Sequence, residues 1–227
     1  MAADPPVVLV HGLGSSFVHN WRATGWVDLL DSEGRPVTGV DLPGHGTMRE
    51  QDPRAVSPAQ AVLAAVGAHG HVDAVGFSAG GHAVLAAAAA APRRFRRLAV
   101  LGVGNPAAPG ASAPAADVIA AGLESGEEPD DQAARVIWRL TGSAGNDRLA
   151  VAAFLRAGHP AVTLADLARI DVPTLVVLGD KDFAGPADEL LAGLPRGEFV
   201  SLRGVDHFAT PSDYGCIDAV LRFLARP

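Results

Sequence analysis

A chain of 227 residues fits one domain, since single domains commonly reach about 250 residues before splitting. With 48% hydrophobic and 19% charged residues it can bury a sizeable core, which excludes wholesale disorder. Eighteen Lys and Arg against 25 Asp and Glu leave a formal charge of −7, which argues against nucleic acid or an anionic membrane as the default partner.

Short β-branched runs alternate with longer helical patterns along the chain. Strands are expected at 7–10 and 36–40. A helix follows at 57–68, where Ser57 fits the N-cap, Pro58 the first helical position and Gln60 the partner in a capping box. Strand 72–77 leads into the alanine-rich helix 79–91, and a fourth strand is expected at 98–103. Strands at 174–178 and 198–202 flank a helix at 187–192, and a last helix covers 214–225. Most of these strands are continuously apolar, as strands buried on both faces of a parallel sheet are. The pattern predicts an α/β fold, a mostly parallel sheet of about six strands with helices on both faces.

No strand pattern interrupts 105–171. Its first part, 105–116, is rich in Pro, Ala, Gly and Ser and reads as a mobile loop. Amphipathic pieces follow at 117–123, 130–140, 146–156 and 163–170, with Ala134, Ile137, Trp138 and Thr141 on one apolar face. Residues 105–171 are therefore expected to form a helical lid over the carboxyl edge of the sheet. Residues 1–104 and 172–227 would form the core beneath it.

Gly76-Phe77-Ser78-Ala79-Gly80-Gly81 lies between an apolar strand and a helix. A serine at such a turn has a strained backbone and a hydroxyl raised above the sheet, and small neighbours let strand and helix pack closely. The Ala79 N–H, at the helix start, points toward negative charge developing there. Val10-His11-Gly12-Leu13-Gly14-Ser15-Ser16 follows the first strand, and its glycines allow a turn that aims the Leu13 N–H into the same pocket. Leu13 and Ala79 would then form a two-donor oxyanion hole.

Among eight histidines, His207 has the best setting for a base, in a loop between the last strand and the last helix. His11 and His45 lie in glycine turns beside the site, as loop-shaping residues. Leu178-Gly179-Asp180-Lys181-Asp182-Phe183 offers two candidate acids, of which Asp182 is favoured over Asp180 because it lies further into the loop and can reach the imidazole. Asp180 can instead bond to backbone in the turn, and the Asp206 side chain should diverge from the neighbouring ring. Candidate pocket residues are His11, Gly12, Trp21, Phe77, Trp138 and Phe208, although Trp21, Trp26 and Trp138 fit core packing equally well.

Serine, then aspartate, then histidine in chain order, with the two glycine-rich loops, resembles the α/β-hydrolase fold superfamily in its serine-nucleophile, esterase- and lipase-like branch. Asp41-Leu42-Pro43-Gly44-His45-Gly46 is similar to its D-x-x-G-x-G loop, and 173–182 to its acid-bearing strand and turn. The resemblance spans 7–225 apart from the insert. It implies Ser78 as nucleophile, His207 as base, Asp182 as acid, and Leu13 and Ala79 as oxyanion donors. Departures are that the two leading strands usual in the superfamily are not expected here, and that Thr47-Met48-Arg49 follows where a serine often stands. Relatives with an aspartate nucleophile, such as haloalkane dehalogenases and epoxide hydrolases, do not match Ser78.

The expected function is hydrolysis of a small or medium carboxylic ester, thioester or lactone through an acyl-enzyme. The alternatives are a cofactor-free lyase of the same fold using the triad for acid–base chemistry, or a small-molecule-binding, receptor-like protein. No cofactor and no metal are expected, because no histidine pair has zinc spacing and Cys216 is the lone cysteine. Arg93, Arg94, Arg96 and Arg97 read as a solvated face at a helix end. Residues 1–6 carry no basic n-region, and the longest apolar stretch, 83–91, falls below the roughly 18 residues of a membrane span. The expectation is a cytoplasmic protein with a small-molecule partner and neither nucleic acid nor membrane.

Overall fold

The computed structural model describes residues 5–67, 69–106 and 116–226. Its strands are β1 (Val7–Val10), β2 (Val37–Val40), β3 (Val72–Phe77), β4 (Phe95–Leu101), β5 (Thr174–Gly179) and β6 (Gly197–Leu202). They form one sheet in the order β2-β1-β3-β4-β5-β6, and every pairing is parallel. The described helices are α1 (Trp26–Ser32), α2 (Pro58–Val66), α3 (Ala79–Ala90), α4 (Ala116–Glu124), α5 (Gln132–Ser143), α6 (Arg148–Arg156), α7 (Leu164–Leu167), α8 (Asp188–Gly193) and α9 (Tyr214–Leu224).

The apolar runs become strands because both faces of the sheet are covered. Val8, Val10, Ala74, Leu98 and Val176 pack against α2, α3 and α8. The alternate positions Val7, Leu9, Val75, Ala99 and Leu175 pack against α1 and α9. Chain direction across the sheet reverses between β1 and β3. Parallel sheets place ligands outside the carboxyl ends of their strands at such a switch point.

Several boundaries follow local chemistry. At α2 the Ser57 side chain accepts from the Gln60 N–H (3.2 Å) and the Gln60 side chain from the Ser57 N–H (2.8 Å), a complete capping box. Strand β4 begins at Phe95, three residues before the expected start, because the charges there are paired inside the sheet edge. Arg96 bonds Asp73, and Arg97 is buried with its guanidinium 5.9 Å from the Phe223 ring. The expected solvated face is thus corrected for these two residues. Gly102, at φ +64°, turns the chain out of the strand before Val103. Helix α1 has no counterpart among the expected elements. It starts after Gly25 without a side-chain cap and buries Trp26, Val27 and Leu30.

Between β4 and β5, helices α4, α5 and α6 build a small core of their own from Ile119, Ala120, Leu123, Ile137, Val151 and Ala152. Asp131 and Asp147 cap α5 and α6. Ala134, Ile137 and Thr141 are buried as expected for one face of α5, whereas Trp138 is only half-buried. Leu167 of α7 and Ile170 join the main core beside the sheet. Residues 107–115 of the expected mobile loop, and Ala68, lie outside the described residues. Among the described residues, no helix is long and apolar enough to cross a membrane.

At the opposite end of the sheet from these loops, Asp73 is fully buried. It accepts from Arg96 Nε (2.9 Å) and Nη2 (2.6 Å) and from the buried Arg35. Arg96 also donates to the Leu224 carbonyl (2.6 Å), so one carboxylate links the starts of β2, β3 and β4 to α9. Asp73→Asn leaves a buried guanidinium without its counter-charge and is expected to cost about 3 kcal/mol of stability, read from urea unfolding.

Candidate active site

Ser78 occupies the turn from β3 into α3 at φ +51° and ψ −115°. It is the one non-glycine residue with positive φ among the described residues. Its own amide donates to the Leu101 carbonyl (2.8 Å), and its carbonyl accepts from His82 N–H (3.1 Å), which fixes the turn from both sides. Residue 80 must be glycine for the helix to approach β1. A Cβ there would stand 2.3 Å from the Val10 carbonyl oxygen and 2.5 Å from that of His11.

The loops after β5 and β6 bring two further side chains to this point. Asp182 Oδ1 lies 2.8 Å from His207 Nδ1, and His207 Nε2 lies 3.0 Å from Ser78 Oγ. A carboxylate can only accept, so Nδ1–H donates to it, and the Nε2 lone pair is left to accept the Ser78 hydroxyl proton. Asp182 Oδ1 also accepts the Ala184 N–H (2.8 Å), which orients the carboxylate. Asp180 instead accepts the Gly204 N–H (2.7 Å), and Asp206 the Ala209 N–H (2.9 Å), so both serve their own turns. His207 is buried among Phe77, Phe183 and Phe208, with ring centroids 5.0, 4.3 and 5.3 Å away.

The loop after β1 passes over Ser78. Among the described residues, nothing accepts a hydrogen bond from the backbone amides of Leu13 and Ala79. Leu13 lines the cavity, and Ala79 is the first residue of α3, where unpaired amides and the helix dipole favour negative charge. The shape of this loop is set by buried polar side chains. Asn20 Oδ1 accepts the Gly12 N–H (3.1 Å), and His45 Nε2 accepts the Gly14 N–H (3.1 Å). His11 Nε2 accepts the Leu42 N–H (3.0 Å), while its Nδ1–H donates to the Gly12 carbonyl (2.7 Å). Asp41 accepts from Phe17 N–H (2.7 Å) and Thr47 N–H (2.8 Å).

Asn146, just before α6, reaches this loop from far along the chain. Its Nδ2 donates to the carbonyls of Gly14 (2.9 Å) and Ser15 (2.7 Å), and its Oδ1 accepts the Gly46 N–H (2.8 Å). One buried amide therefore joins the helical segment to two of the loops around Ser78.

A cavity of about 830 Å³ opens above Ser78 and His207. Gly12, Phe77 and Phe208 line it as expected, together with Phe183 and His82, which the sequence motifs did not single out. Three expected wall residues lie elsewhere. His11 is fully buried beneath the loop, committed to backbone groups. Trp21 is fully buried in the core, edge-to-face with Trp26 at 5.3 Å. Trp138 turns its ring to Arg148, whose guanidinium sits 3.7 Å from the ring centroid. Phe183 carries a signal next to Asp182 in sequence, whereas Asn146 has none, since its side-chain partners lie 100 or more residues away. Among the described residues, no group of three His, Cys, Asp or Glu side chains is placed to hold a metal ion.

The chain matches the alpha/beta hydrolase family over residues 7–214. No curated protein matches it. Solved structures with similar folds include a hydrolase from Oleispira antarctica (TM-score 0.76, 16% identity, 99% of this chain and 92% of that one). Another is the enol-lactonase from Burkholderia xenovorans LB400 (TM-score 0.74, 20% identity, 98% and 92%). A third is the 2-hydroxy-6-oxo-6-phenylhexa-2,4-dienoate hydrolase from a Rhodococcus strain (TM-score 0.68, 22% identity, 99% and 91%).

Two predictions test the loop supports. Burial, then the neighbouring His11, push the His45 pKa down from 6.5 to about 3, and burial also lowers that of His11. Below about pH 6.5 the unfolded chain takes up protons that these folded rings refuse, so stability falls with pH from there to about 3. His45→Gln keeps an acceptor for Gly14 without that titration, and its Tm should fall less than the wild type's between about pH 6.5 and 4. Asn146→Ala should lower stability by about 2 kcal/mol and speed amide exchange at Gly46, measured by thermal unfolding and hydrogen exchange.

Proposed function

The chain belongs to the alpha/beta hydrolase family, and from that premise we propose that it is a serine hydrolase cleaving small or medium carboxylic esters, thioesters or lactones. The observation that carries this reading is the unbroken line from Asp182 Oδ1 through His207 to Ser78 Oγ, with bonds of 2.8 and 3.0 Å. A serine is a weak nucleophile until a base takes its proton, and a base held in one tautomer by a carboxylate does this.

In this mechanism Ser78 Oγ bonds to the carbonyl carbon as its proton passes to His207 Nε2. Negative charge collects on the former carbonyl oxygen, for which we assign the Leu13 and Ala79 amides as donors. The imidazolium so formed lies against the Asp182 carboxylate. Collapse breaks the bond to the leaving oxygen or sulfur, which takes the proton from His207. Water then gives a proton to His207 and adds to the acyl carbon. The bond to Ser78 Oγ breaks, the oxygen recovers its proton, and the carboxylic acid departs.

The cavity volume fits an acyl group of modest size. Helices α4, α5 and α6 roof it, and we assign residues 105–171 the part of a lid that keeps water from the acyl-enzyme. The apolar rings around His207 serve the same end.

Treatment with a fluorophosphonate should add one mass adduct to the wild-type protein and none to Ser78→Ala. Ser78→Ala should retain the wild-type circular dichroism spectrum and lose ester hydrolysis by about 10⁴-fold or more. A folded wild type that takes no adduct would count against the nucleophile and in favour of a lyase or binding protein.

A further inference from the structure

The lining of the cavity narrows the substrate class. Its roof and sides include Leu13, Ile119, Val136, Ile137, Leu140 and Leu155. Among the described residues, no lysine or arginine lines it. Residues 107–115, outside the described set, contain neither residue type. Among the described wall residues the one carboxylate, Asp131, is engaged as the N-cap of α5, where Oδ1 accepts the Ala134 N–H (2.9 Å). A carboxylate or phosphate on the substrate would enter a largely apolar chamber with no cation to replace its water, which burial of a charge requires.

Three polar side chains in this wall, His82, Gln132 and Ser212, are neither used by the mechanism nor hydrogen-bonded among the described residues, and of these His82 is the one on the helix that carries Ser78. His82 lies one helical turn beyond Ser78 on α3, with its ring open to the cavity. No hydrogen bond among the described residues occupies its ring nitrogens. Other polar wall residues are engaged within the protein: Ser15 with His19, Asn20 with Gly12, Thr24 with the Asn20 carbonyl, and Asn105 with Asp188. His82 is exposed; the protein around its ring, then the neighbouring His207, lower its pKa. In its neutral form the ring offers one N–H donor and one acceptor.

We propose that the substrate carries no charge and that His82 is a binding residue for a neutral hydrogen-bonding group on it, such as a hydroxyl, keto or ether oxygen near the scissile carbonyl. This rests on the serine-hydrolase reading above. It goes further by excluding anionic acids and phosphorylated or pyrophosphate-bearing thioesters as preferred substrates. The imidazole and the apolar wall together suit a hydroxylated or oxo-substituted aliphatic ester.

Three fluorophosphonates of equal chain length test this, one ending in methyl, one in hydroxyl and one in carboxylate. Each reports on Ser78 without knowledge of the natural substrate. The quantity measured is the second-order rate of adduct formation by intact mass, in wild type, His82→Leu and His82→Gln, each checked for folding by thermal unfolding. In wild type the hydroxyl probe should react about 100-fold faster than the carboxylate probe. The hydroxyl-over-methyl rate ratio should fall about tenfold in His82→Leu and recover in part in His82→Gln, which keeps a donor and an acceptor.

A carboxylate probe as fast as the hydroxyl probe overturns the uncharged-substrate class. A hydroxyl-over-methyl ratio unchanged in His82→Leu, or near unity in wild type, overturns the binding role of His82. A folded wild type labelled by none of the three overturns the serine-hydrolase reading itself, and that failure is recognised by the absence of any Ser78 adduct.

Discussion

The close approach of α3 to the end of β1 is the constraint on which the site depends. Ser78 holds a backbone conformation that an L-residue adopts only at a cost of about 1–3 kcal/mol, and surrounding structure must compensate it. Compensation comes from the parallel pairing of β1 with β3, which sets Val10 beside Gly76, and from the bare Cα of Gly80 against the Val10 carbonyl. With that contact made, Ser78 and the loop residues Gly12 and Leu13 after β1 line one cavity. The same pairing lies at the switch in strand order, so the crevice above it follows from the topology.

Two sets of histidines serve this point in opposite ways. His11 and His45 are fully buried and neutral, and their ring nitrogens accept backbone amides as an asparagine oxygen would. Their depressed basicity keeps the loop's shape independent of solution conditions over the neutral range. His207 is also buried, yet it has a carboxylate on one nitrogen and a hydroxyl on the other, the setting that the proposed base requires. What separates scaffold from base is the partner of each ring, since burial is common to both.

Features written in contiguous residues were legible in the sequence. The strands show as unbroken apolar runs, the start of α2 as Ser57-Pro58 with Gln60, and the elbow as small residues around Ser78. Asp182 and His207 were legible because each follows a strand, and a parallel sheet carries such loops to one edge. Contacts that depend on the fold were not. The start of β4 was hidden by Arg96 and Arg97, whose charges are matched or covered by residues distant in sequence. Trp21 and Trp138 sit near the motifs in sequence, but burial of one and cation stacking of the other turn both away from the cavity. Nothing near Asn146 in the chain hints at Gly14 and Ser15.

The Asn146 amide also sets the limits of what could be transplanted. A chimera that takes its helical segment from a relative would leave the Gly14 and Ser15 carbonyls and the Gly46 amide unmatched, unless the graft carries an equivalent amide at the same point. Substrate range in such a chimera cannot be exchanged by the helices alone. The smallest interchangeable unit comprises the helical segment together with the loops after β1 and β2 that it clamps.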